Sequence, residues 1–329
     1  MKKAIAVFIL LALCLALCAC SPSPVAVIIG GNRVDASEVA FFINYSKQNM
    51  LENPDQAEYD LETTQMVKDN ALSQIVVNEL IRLKCAEYRL RLTAEQKQQI
   101  RESKQQLISS LGGMVKYVEY LRSAALTDRM YDKFQQNAYY YQLLYDYMAE
   151  SSGIAGESDL WLKQYFSENY TEYKYIYFSL LDQDGNPLSD VKADQVYIKA
   201  QKAYNEARRY GANFDALIDA YSDDVRMSGG SASLLISRYE AKNIDFLKSL
   251  FDIKEGGVGG VYLTDDACYI LKRLPLEVRS FEQNREMIIQ NALDQAFDEQ
   301  LSEWKQTVKV KTSAVFDRMT LVDYMNYVK

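Results

Sequence analysis

The segment YKYIYFSL at residues 173–180 is the most informative about the fold, because aromatic and β-branched side chains of this kind favour a β-strand. It follows a break in the helical pattern at Ser151, where Ser and Gly residues predominate. Beyond the strand, the sequence predicts helices at 193–210, 214–221 and 243–251, and then strands at 258–263 and 267–274. A second domain therefore begins near residue 151, and its predicted element order is β-α-α-α-β-β.

Short motifs run through this predicted domain between residues 172 and 275. The segment GANF at 211–214, followed by AYSDD at 220–224, is similar to the G-x-x-F and A-x-x-[YF]-S-x-D motifs of the parvulin-type peptidyl-prolyl isomerases. The segments ISR at 236–238 and CYILK at 268–272 resemble later motifs of the family, in the same order. The resemblance implies a parvulin-like module whose site surrounds a prolyl amide.

The resemblance also implies three catalytic positions. Parvulins surround the amide with two hydrogen-bonded histidines and a Cys or Asp, and the matching positions here hold Tyr177, Tyr269 and Asp224. The chain contains no histidine at all. Each tyrosine can donate and accept one hydrogen bond, so one interpretation of the cluster is an altered polar network. The other is a site that has lost its catalytic function, in which the bulkier phenols fill the cavity.

A substrate pocket is implied beside these positions. The family lines its proline pocket with a Phe, a Leu and a Met. Phe246 keeps the first of these, whereas Ala232 stands at the Leu position and Lys242 stands near the Met position. These two differences weigh against efficient turnover of a proline substrate.

The absence of histidine excludes several kinds of chemistry. There is no Ser-His-Asp triad, no histidine general base and no histidine-ligated metal. Asp223 and Asp224 could be read as metal ligands, but adjacent carboxylates without further spaced oxygens favour a solvated turn. The segment GGVGG at 256–260 lacks the lysine and the following helix of a phosphate-binding loop and predicts a β-turn. We expect no metal site and no cofactor.

The first twenty residues are typical of an export signal. Two lysines precede an apolar run at 4–17, whose 14 residues fall short of the roughly 20 that a membrane-spanning helix needs. The run ends in LCAC, which resembles the bacterial lipoprotein signal. This resemblance implies that Cys20 is acylated and holds the protein on the outer face of a membrane. Cys85 and Cys268 then remain, and their apolar surroundings favour two buried thiols over a disulfide.

The first half of the chain repeats apolar side chains at helical spacing. One stripe predicted to face the core comprises Leu72, Ile75, Val76, Leu80 and Leu83. A second predicted core stripe comprises Tyr131, Phe134, Ala138, Tyr141, Tyr145 and Met148. Off that stripe lie Tyr139, Tyr140 and Tyr147, which are either a packing seam between helices or an aromatic surface that binds polypeptides.

This helical half resembles the N-terminal region of SurA and of PrsA-like foldase lipoproteins, which place a parvulin insert before a returning C-terminal helix. That helix would span residues 280–307. The implied architecture is an α+β protein, in which a helical SurA-N-like domain is completed by the C-terminal helix. Its expected parts are the signal peptide 1–20, the helical domain 21–150, a linker with a short helix 151–171, the parvulin-like domain 172–275 and the C-terminal region 276–329.

The net charge argues against one class of partner. At −8, the chain has no basic field that would attract nucleic acid, and we expect none as a partner. The leading interpretation is a lipid-anchored extracytoplasmic foldase whose partners are unfolded secreted polypeptides and the membrane. Two alternatives are an active isomerase that uses tyrosines in place of histidines, and an envelope scaffold with one dedicated partner.

Overall fold

The computed structural model describes residues 23–229 and 233–328 and divides into two compact units. We call the first, from Met1–Ser151 and Phe297–Lys329, the helical unit. We call the second, Ser152–Ala296, the sheet unit. The predicted α+β class is confirmed, because helices are combined with two antiparallel sheets.

The helical unit contains elements from both ends of the chain. From its N-terminal part come β1 (Val25–Ile29), β2 (Asn32–Asp35), α1 (Ala36–Met50), α2 (Leu61–Glu87), α3 (Ala94–Ser110), α4 (Met114–Ser123) and α5 (Asp128–Ser152). From its C-terminal part come the second half of α12 (Arg285–Thr307), then β7 (Val310–Thr312) and α13 (Ala314–Arg318).

A small sheet ties the two ends of the chain together in this unit. Its strand order is β2-β1-β7, and Val27 on β1 is the antiparallel partner of Thr312 on β7. The Ser313 N–H donates to the Ala26 carbonyl at 3.0 Å. The sequence pattern does not predict β7, since its three residues are exposed and lack a strand pattern of their own.

The core of the helical unit agrees with one predicted stripe and corrects the other. On α2, Ile75, Val76 and Leu80 are buried, as predicted. On α5 the buried positions are instead Met130, Asn137 and Leu144, each seven residues apart. The prediction of a core stripe from Tyr131 to Met148 is wrong at its centre, because Ala138 and Tyr141 are exposed.

A hydrogen-bond network explains why a polar residue takes the central buried place on α5. The Asn137 side-chain carbonyl accepts from Arg82 Nη1 at 3.0 Å, and its amide donates to Asn78 Oδ1 at 3.1 Å. A buried amide is tolerated when its groups are bonded in this way, and hydrophobic periodicity does not detect such a residue.

The sheet unit is built from short elements. They are α6 (Asp159–Asn169), β3 (Tyr170–Ser179), α7 (Asp190–Ala207), α8 (Phe214–Tyr221), β4 (Leu234–Ser237), α9 (Arg238–Ala241), α10 (Asp245–Lys248), β5 (Val258–Leu263), β6 (Ala267–Leu274) and α11 (Val278–Gln283), followed by the first half of α12. The antiparallel strand order is β4-β3-β6-β5.

Three elements differ from the predicted pattern. The predicted order omits β4, whose four residues pair with the beginning of β3. The single helix predicted at 243–251 is α10 followed by a 3₁₀ turn. The C-terminal helix predicted at 280–307 is interrupted at Asn284, between α11 and α12.

The two faces of this sheet bury different kinds of side chain, because successive residues of a strand point to opposite sides. Ile176 and Phe178 pack with residues of α7 and α8 in an apolar cluster that includes Phe214 and Ile218. The alternate residues of β3 are tyrosines, and they share the other face with Tyr269, Phe246 and Leu271. The candidate site lies on this tyrosine face.

Both cysteines of the described part of the chain are buried and free. The prediction of two buried thiols is confirmed for Cys85 and Cys268. Burial raises the pKa of the Cys85 thiol to about 11, an effect that the Arg82 guanidinium partly offsets, so this thiol stays protonated at neutral pH.

The predicted signal peptide at 1–20 and the predicted acylation site at Cys20 lie outside the described residues. Among the described residues, no helix has both the length and the apolar character needed to cross a membrane.

Candidate functional site

Two of the predicted catalytic residues are neighbours across the sheet. Tyr177 on β3 and Tyr269 on β6 are antiparallel partners, and their ring centroids are 5.4 Å apart with an interplanar angle of 63°. Cross-strand pairs on one face are close enough for aromatic rings to touch. The strand pairing therefore brings together the two positions that the parvulin resemblance assigned to histidines.

Phe246 from α10 covers Tyr269. The two rings are stacked, with centroids 4.4 Å apart and planes 15° apart. Tyr269 also meets Tyr175 edge to face, at 6.0 Å between centroids. Burial raises the pKa of Tyr269, so this phenol is uncharged at neutral pH.

Asp224 is held by two groups other than the predicted tyrosines. The Tyr175 hydroxyl donates to Asp224 Oδ2 at 2.6 Å. The Arg226 guanidinium donates through Nη2 to the same oxygen at 2.7 Å and through Nε to Oδ1 at 2.9 Å. The Arg226 backbone N–H also donates to Oδ1, at 3.0 Å. Both carboxylate oxygens are thus engaged within the protein.

These bonds fix the charges of the pair. Hydrogen bonds from Arg226, opposed by burial and reinforced by the Tyr175 hydroxyl, hold the pKa of Asp224 well below its usual range. Burial, together with the negative charge of Asp224, raises the pKa of Tyr175. At neutral pH the carboxylate is ionised, and Tyr175 is a neutral hydrogen-bond donor.

A turn on the edge of β3 positions Asp224. Strand β4 pairs only with the first residues of β3, so the later residues of that edge bond to the turn at 222–224 instead. The Tyr177 N–H donates to Ser222 Oγ at 3.1 Å, and the Asp223 N–H donates to the Tyr177 carbonyl at 2.8 Å. This docking places Asp224 beside the tyrosine face.

The turn gives its two adjacent carboxylates different partners. Asp223 Oδ2 accepts the Ser179 N–H at 3.0 Å, whereas Asp224 binds Tyr175 and Arg226, so the two carboxylates serve different partners. The sequence predicted a solvated turn; the side chain of Asp223 is 46% exposed, whereas that of Asp224 is only 9% exposed. The described residues contain no cluster of three or more Cys, Asp or Glu side chains that could hold a metal ion.

The other two residues predicted to line the substrate pocket are Lys242 and Ala232. Lys242 is exposed, and its ammonium lies 3.8 Å from the centroid of the Tyr239 ring. Ala232 lies outside the described residues.

Sequence reasoning missed Tyr175 and Arg226. The strand alternation contained the signal for Tyr175, because a residue two positions before Tyr177 must lie on the same face. The signal for Arg226 was weaker. A cation two residues after an aspartate in a turn can reach back to it, but nothing local requires that it does so.

The geometry limits the chemistry of the site. A catalyst of prolyl rotation must hold the proline ring in an apolar pocket and stabilise the twisted amide. Rings with centroids 4.4 Å apart are in direct contact, so a proline ring fits between Phe246 and Tyr269 only if they separate. The ionised Asp224 carboxylate beside Tyr175 already has its hydrogen-bond partners.

Known proteins resemble this chain in structure. Neither a protein-family model nor a curated protein sequence matches it. Among solved structures, the foldase protein PrsA from Streptococcus pneumoniae is 18% identical, with a TM-score of 0.33, covering 77% of this chain and 91% of that one. A structure from two SurA-like chaperones of Campylobacter jejuni is 11% identical, with a TM-score of 0.35, covering 89% and 100%.

A third similar structure is the peptidylprolyl isomerase PrsA from Bacillus anthracis. It is 14% identical, with a TM-score of 0.32, and the match covers 72% of this chain and 94% of that one. The structural neighbours are thus PrsA foldases and SurA-like chaperones.

Proposed function

We propose that this protein is an extracytoplasmic foldase that holds unfolded secreted polypeptides, and that its parvulin-like module binds chains more than it isomerises them. The observation that carries the proposal is the stack of Phe246 on Tyr269, at 4.4 Å between ring centroids. The parvulin resemblance expects Phe246 to line the proline pocket, and its contact with Tyr269 supports a pocket that is filled by the protein's own rings.

The loss of both histidines supports the same conclusion. Uncatalysed prolyl isomerisation takes tens to hundreds of seconds, and acceleration requires stabilisation of the twisted amide over the planar one. Tyr177 and Tyr269 are bulkier than imidazoles and contact each other directly. An unfolded chain could still pack on these rings from outside without any preference for the transition state.

Exposed apolar side chains in the helical unit support a holding function. On α4, Met114, Val115 and Val118 are 57%, 73% and 47% exposed. Exposed apolar surface of this kind is typical of sites that bind other polypeptides. A chaperone needs such a surface because unfolded chains are recognised by apolar side chains that a native protein buries.

An aggregation assay tests the holding function. We expect the full mature chain to suppress aggregation of a chemically unfolded client at ratios near one to one. The variant Val115→Ser/Val118→Ser should weaken suppression severalfold. The matched control Val191→Ser/Ile198→Ser removes similarly exposed apolar side chains from α7 and should have less effect. Failure of the unmodified chain to suppress aggregation at any ratio would contradict the proposal.

One observation favours a second candidate function, a weak isomerase. The Tyr175 hydroxyl and the Asp224 carboxylate form a polar pair at 2.6 Å beside Tyr269. An assay of proline isomerisation in short peptides separates the candidates. We expect the rate with the protein to equal the rate in buffer. Acceleration that is lost in both Asp224→Ala and Phe246→Ala would establish the isomerase instead.

Membrane attachment through an acylated Cys20 is the remaining part of the proposal. Its support is the lipoprotein-like LCAC sequence at the end of the export signal. We expect Cys20→Ser to release the protein from the membrane fraction and to abolish incorporation of a labelled fatty acid. A pull-down from native membranes tests the envelope-scaffold alternative, since a scaffold would return one stoichiometric partner rather than many clients.

A further inference from the structure

Two cavities of the helical unit share part of their walls. Their volumes are about 640 and 630 Å³, within the range typical of ligand sites. Asp128, Asp132 and Gln136, all on α5, line both of them. The cavities therefore lie side by side along one helix and can be occupied by neighbouring groups of one ligand.

The first cavity is largely apolar. Its walls include Leu92, Ile100, Ile108, Tyr117, Val118 and Tyr140. The Tyr117 hydroxyl already donates to Asp128 Oδ1 at 2.9 Å, so the ring rather than the hydroxyl is available to a ligand. A cavity of this size and character accepts a large aliphatic or aromatic side chain.

The second cavity is polar and rich in cations. Arg33, Arg82, Arg129 and Lys133 line it. Two of these cations are engaged within the protein. Lys133 Nζ lies 2.7 Å from Glu38 Oε2 and 2.6 Å from Glu79 Oε1. Arg82 donates to Asn137 and lies over the ring of Tyr140.

The other two cations have no such partner. Arg33 and Arg129 are exposed, and neither forms an ion pair or a side-chain hydrogen bond with any residue that the structure describes. The two aspartates of the shared wall are bonded to another cation, because Lys104 Nζ binds Asp128 at 2.6 Å and Asp132 at 3.0 Å. The lining of this cavity carries four cations against three carboxylates, Glu79, Asp128 and Asp132, so its net charge is +1 in a chain of net charge −8.

We infer that the two cavities form one binding groove for polypeptide segments in which a large apolar residue adjoins an acidic residue. The apolar side chain enters the first cavity, and the carboxylate binds Arg33 and Arg129 in the second. Arginine favours this role because its planar guanidinium bonds a carboxylate through two N–H groups. The inference rests on the proposed function, since it names the segments that the helical unit holds.

Charge selectivity follows from the same geometry. The acidic surface of the protein repels acidic peptides in general, so only a local cluster of unpaired cations attracts them. A basic residue at the same place in the peptide would face Arg33 and Arg129 and be rejected. The groove therefore discriminates by charge as well as by apolar size.

Fluorescence anisotropy with labelled ten-residue peptides tests this inference on the full mature chain. The peptides carry a central Phe-Glu, Phe-Gln, Phe-Lys or Ser-Glu pair. We expect Phe-Glu to bind about tenfold more tightly than Phe-Lys or Ser-Glu, with Phe-Gln between them. Arg33→Gln or Arg129→Gln should reduce the preference for Phe-Glu over Phe-Gln severalfold without changing the melting temperature.

Arg122→Gln is the matched control, because this exposed arginine of α4 lies outside both cavities. Equal affinity for Phe-Glu and Phe-Lys would overturn the inference, as would an effect of Arg122→Gln equal to that of Arg33→Gln. In either case, suppression of client aggregation would leave the proposed function standing. Conversely, an Arg33-dependent preference for Phe-Glu without any suppression would support the groove and refute the holding function.

Discussion

The tyrosine face of the sheet unit and the groove of the helical unit differ in how many of their polar and charged groups already have partners within the protein. On the tyrosine face, Phe246 stacks on Tyr269, and Asp224 is bonded to Tyr175 and Arg226. In the groove, Lys133 and Arg82 are bonded within the protein, whereas Arg33 and Arg129 form no ion pair or side-chain hydrogen bond with the described residues. Groups that are already paired stabilise the fold, whereas unpaired charges beside an open cavity are available to a ligand.

A motif and a binding site therefore need not coincide in one molecule. The parvulin-like motifs lead to the sheet unit, where Phe246 stacks on Tyr269. The groove in the helical unit has no motif, because its walls come from β2 and from several helices. We place peptide binding mainly in the groove, and substitutions of paired and unpaired groups can test that contrast.

The largest effect is expected from Lys133→Met. Glu38 and Glu79 are only 5% and 3% exposed at their side chains, and this change leaves both carboxylates without their shared cation. Breaking a buried ion pair in this way costs about 3–5 kcal/mol of the free energy of unfolding. The measurement is urea denaturation followed by the fluorescence of Trp304, in a Trp161→Phe background that leaves this single tryptophan in the helical unit.

Lys116→Met is the control for that experiment. Lys116 forms an exposed ion pair with Glu119, so its loss should cost less than about 1 kcal/mol. If Lys133→Met proved as mild as this control, Lys133 would be as available to ligands as Arg33, and the division between structural and binding cations would fail.

A smaller effect that depends on pH is expected from Asp224→Asn. At pH 7 the change weakens charge-assisted hydrogen bonds from Arg226 and Tyr175, at a cost of about 1–3 kcal/mol. The folded-state pKa of Asp224 is lowered from 3.8, so the unfolded chain binds its proton first as the pH falls. The stability from this carboxylate is present above pH 3.8 and is lost as the pH falls below it.

Urea denaturation at pH 7, 5 and 3 measures this dependence through Trp161, in a Trp304→Phe background. The difference in stability between the chain that keeps Asp224 and the Asp224→Asn variant should be similar at pH 7 and 5 and smaller at pH 3. A difference that grew on acidification would mean that Asp224 is not held as an ion, and the tyrosine face would then contain a group available for chemistry.

The smallest effect distinguishes two tyrosines two residues apart. Tyr175→Phe removes the donor to Asp224 and should cost about 1 kcal/mol. Tyr177→Phe should cost less than about 0.5 kcal/mol, because its hydroxyl makes no hydrogen bond with the residues that the structure describes. The same denaturation assay compares the two variants. The reverse order would show that Tyr177, the residue singled out by the parvulin resemblance, carries the polar network.

Much of the sheet unit could be predicted from the sequence because its signals are local. The aromatic and β-branched side chains of residues 173–180 predicted the strand β3, and the parvulin resemblance implied that Tyr177 and Tyr269 would be neighbours. The partner of Asp224 could not be predicted in the same way. Tyr175 and Tyr177 share one face, and only the docking of the 222–224 turn determines which hydroxyl reaches the carboxylate.

The helical unit shows where periodicity fails. The α2 stripe was found because Ile75, Val76 and Leu80 are apolar and recur at helical spacing, although Glu79 of the same helix is buried as well. The α5 stripe was misplaced because Asn137 is buried through bonds to Arg82 and Asn78, which lie more than 50 residues away in sequence. A residue whose burial depends on distant partners carries no local sign of it.

Composition and short-range spacing were enough to establish the absence of histidine chemistry, the strand that separates the two halves and the positions of the aromatic residues. These properties involve only a few neighbouring residues at a time. Folding in three dimensions was needed to pair Val27 with Thr312, to bring Tyr175 to Asp224 and to form cavities beside α5. The physical reason is that such contacts join residues far apart in the chain, so their formation depends on how the whole unit packs.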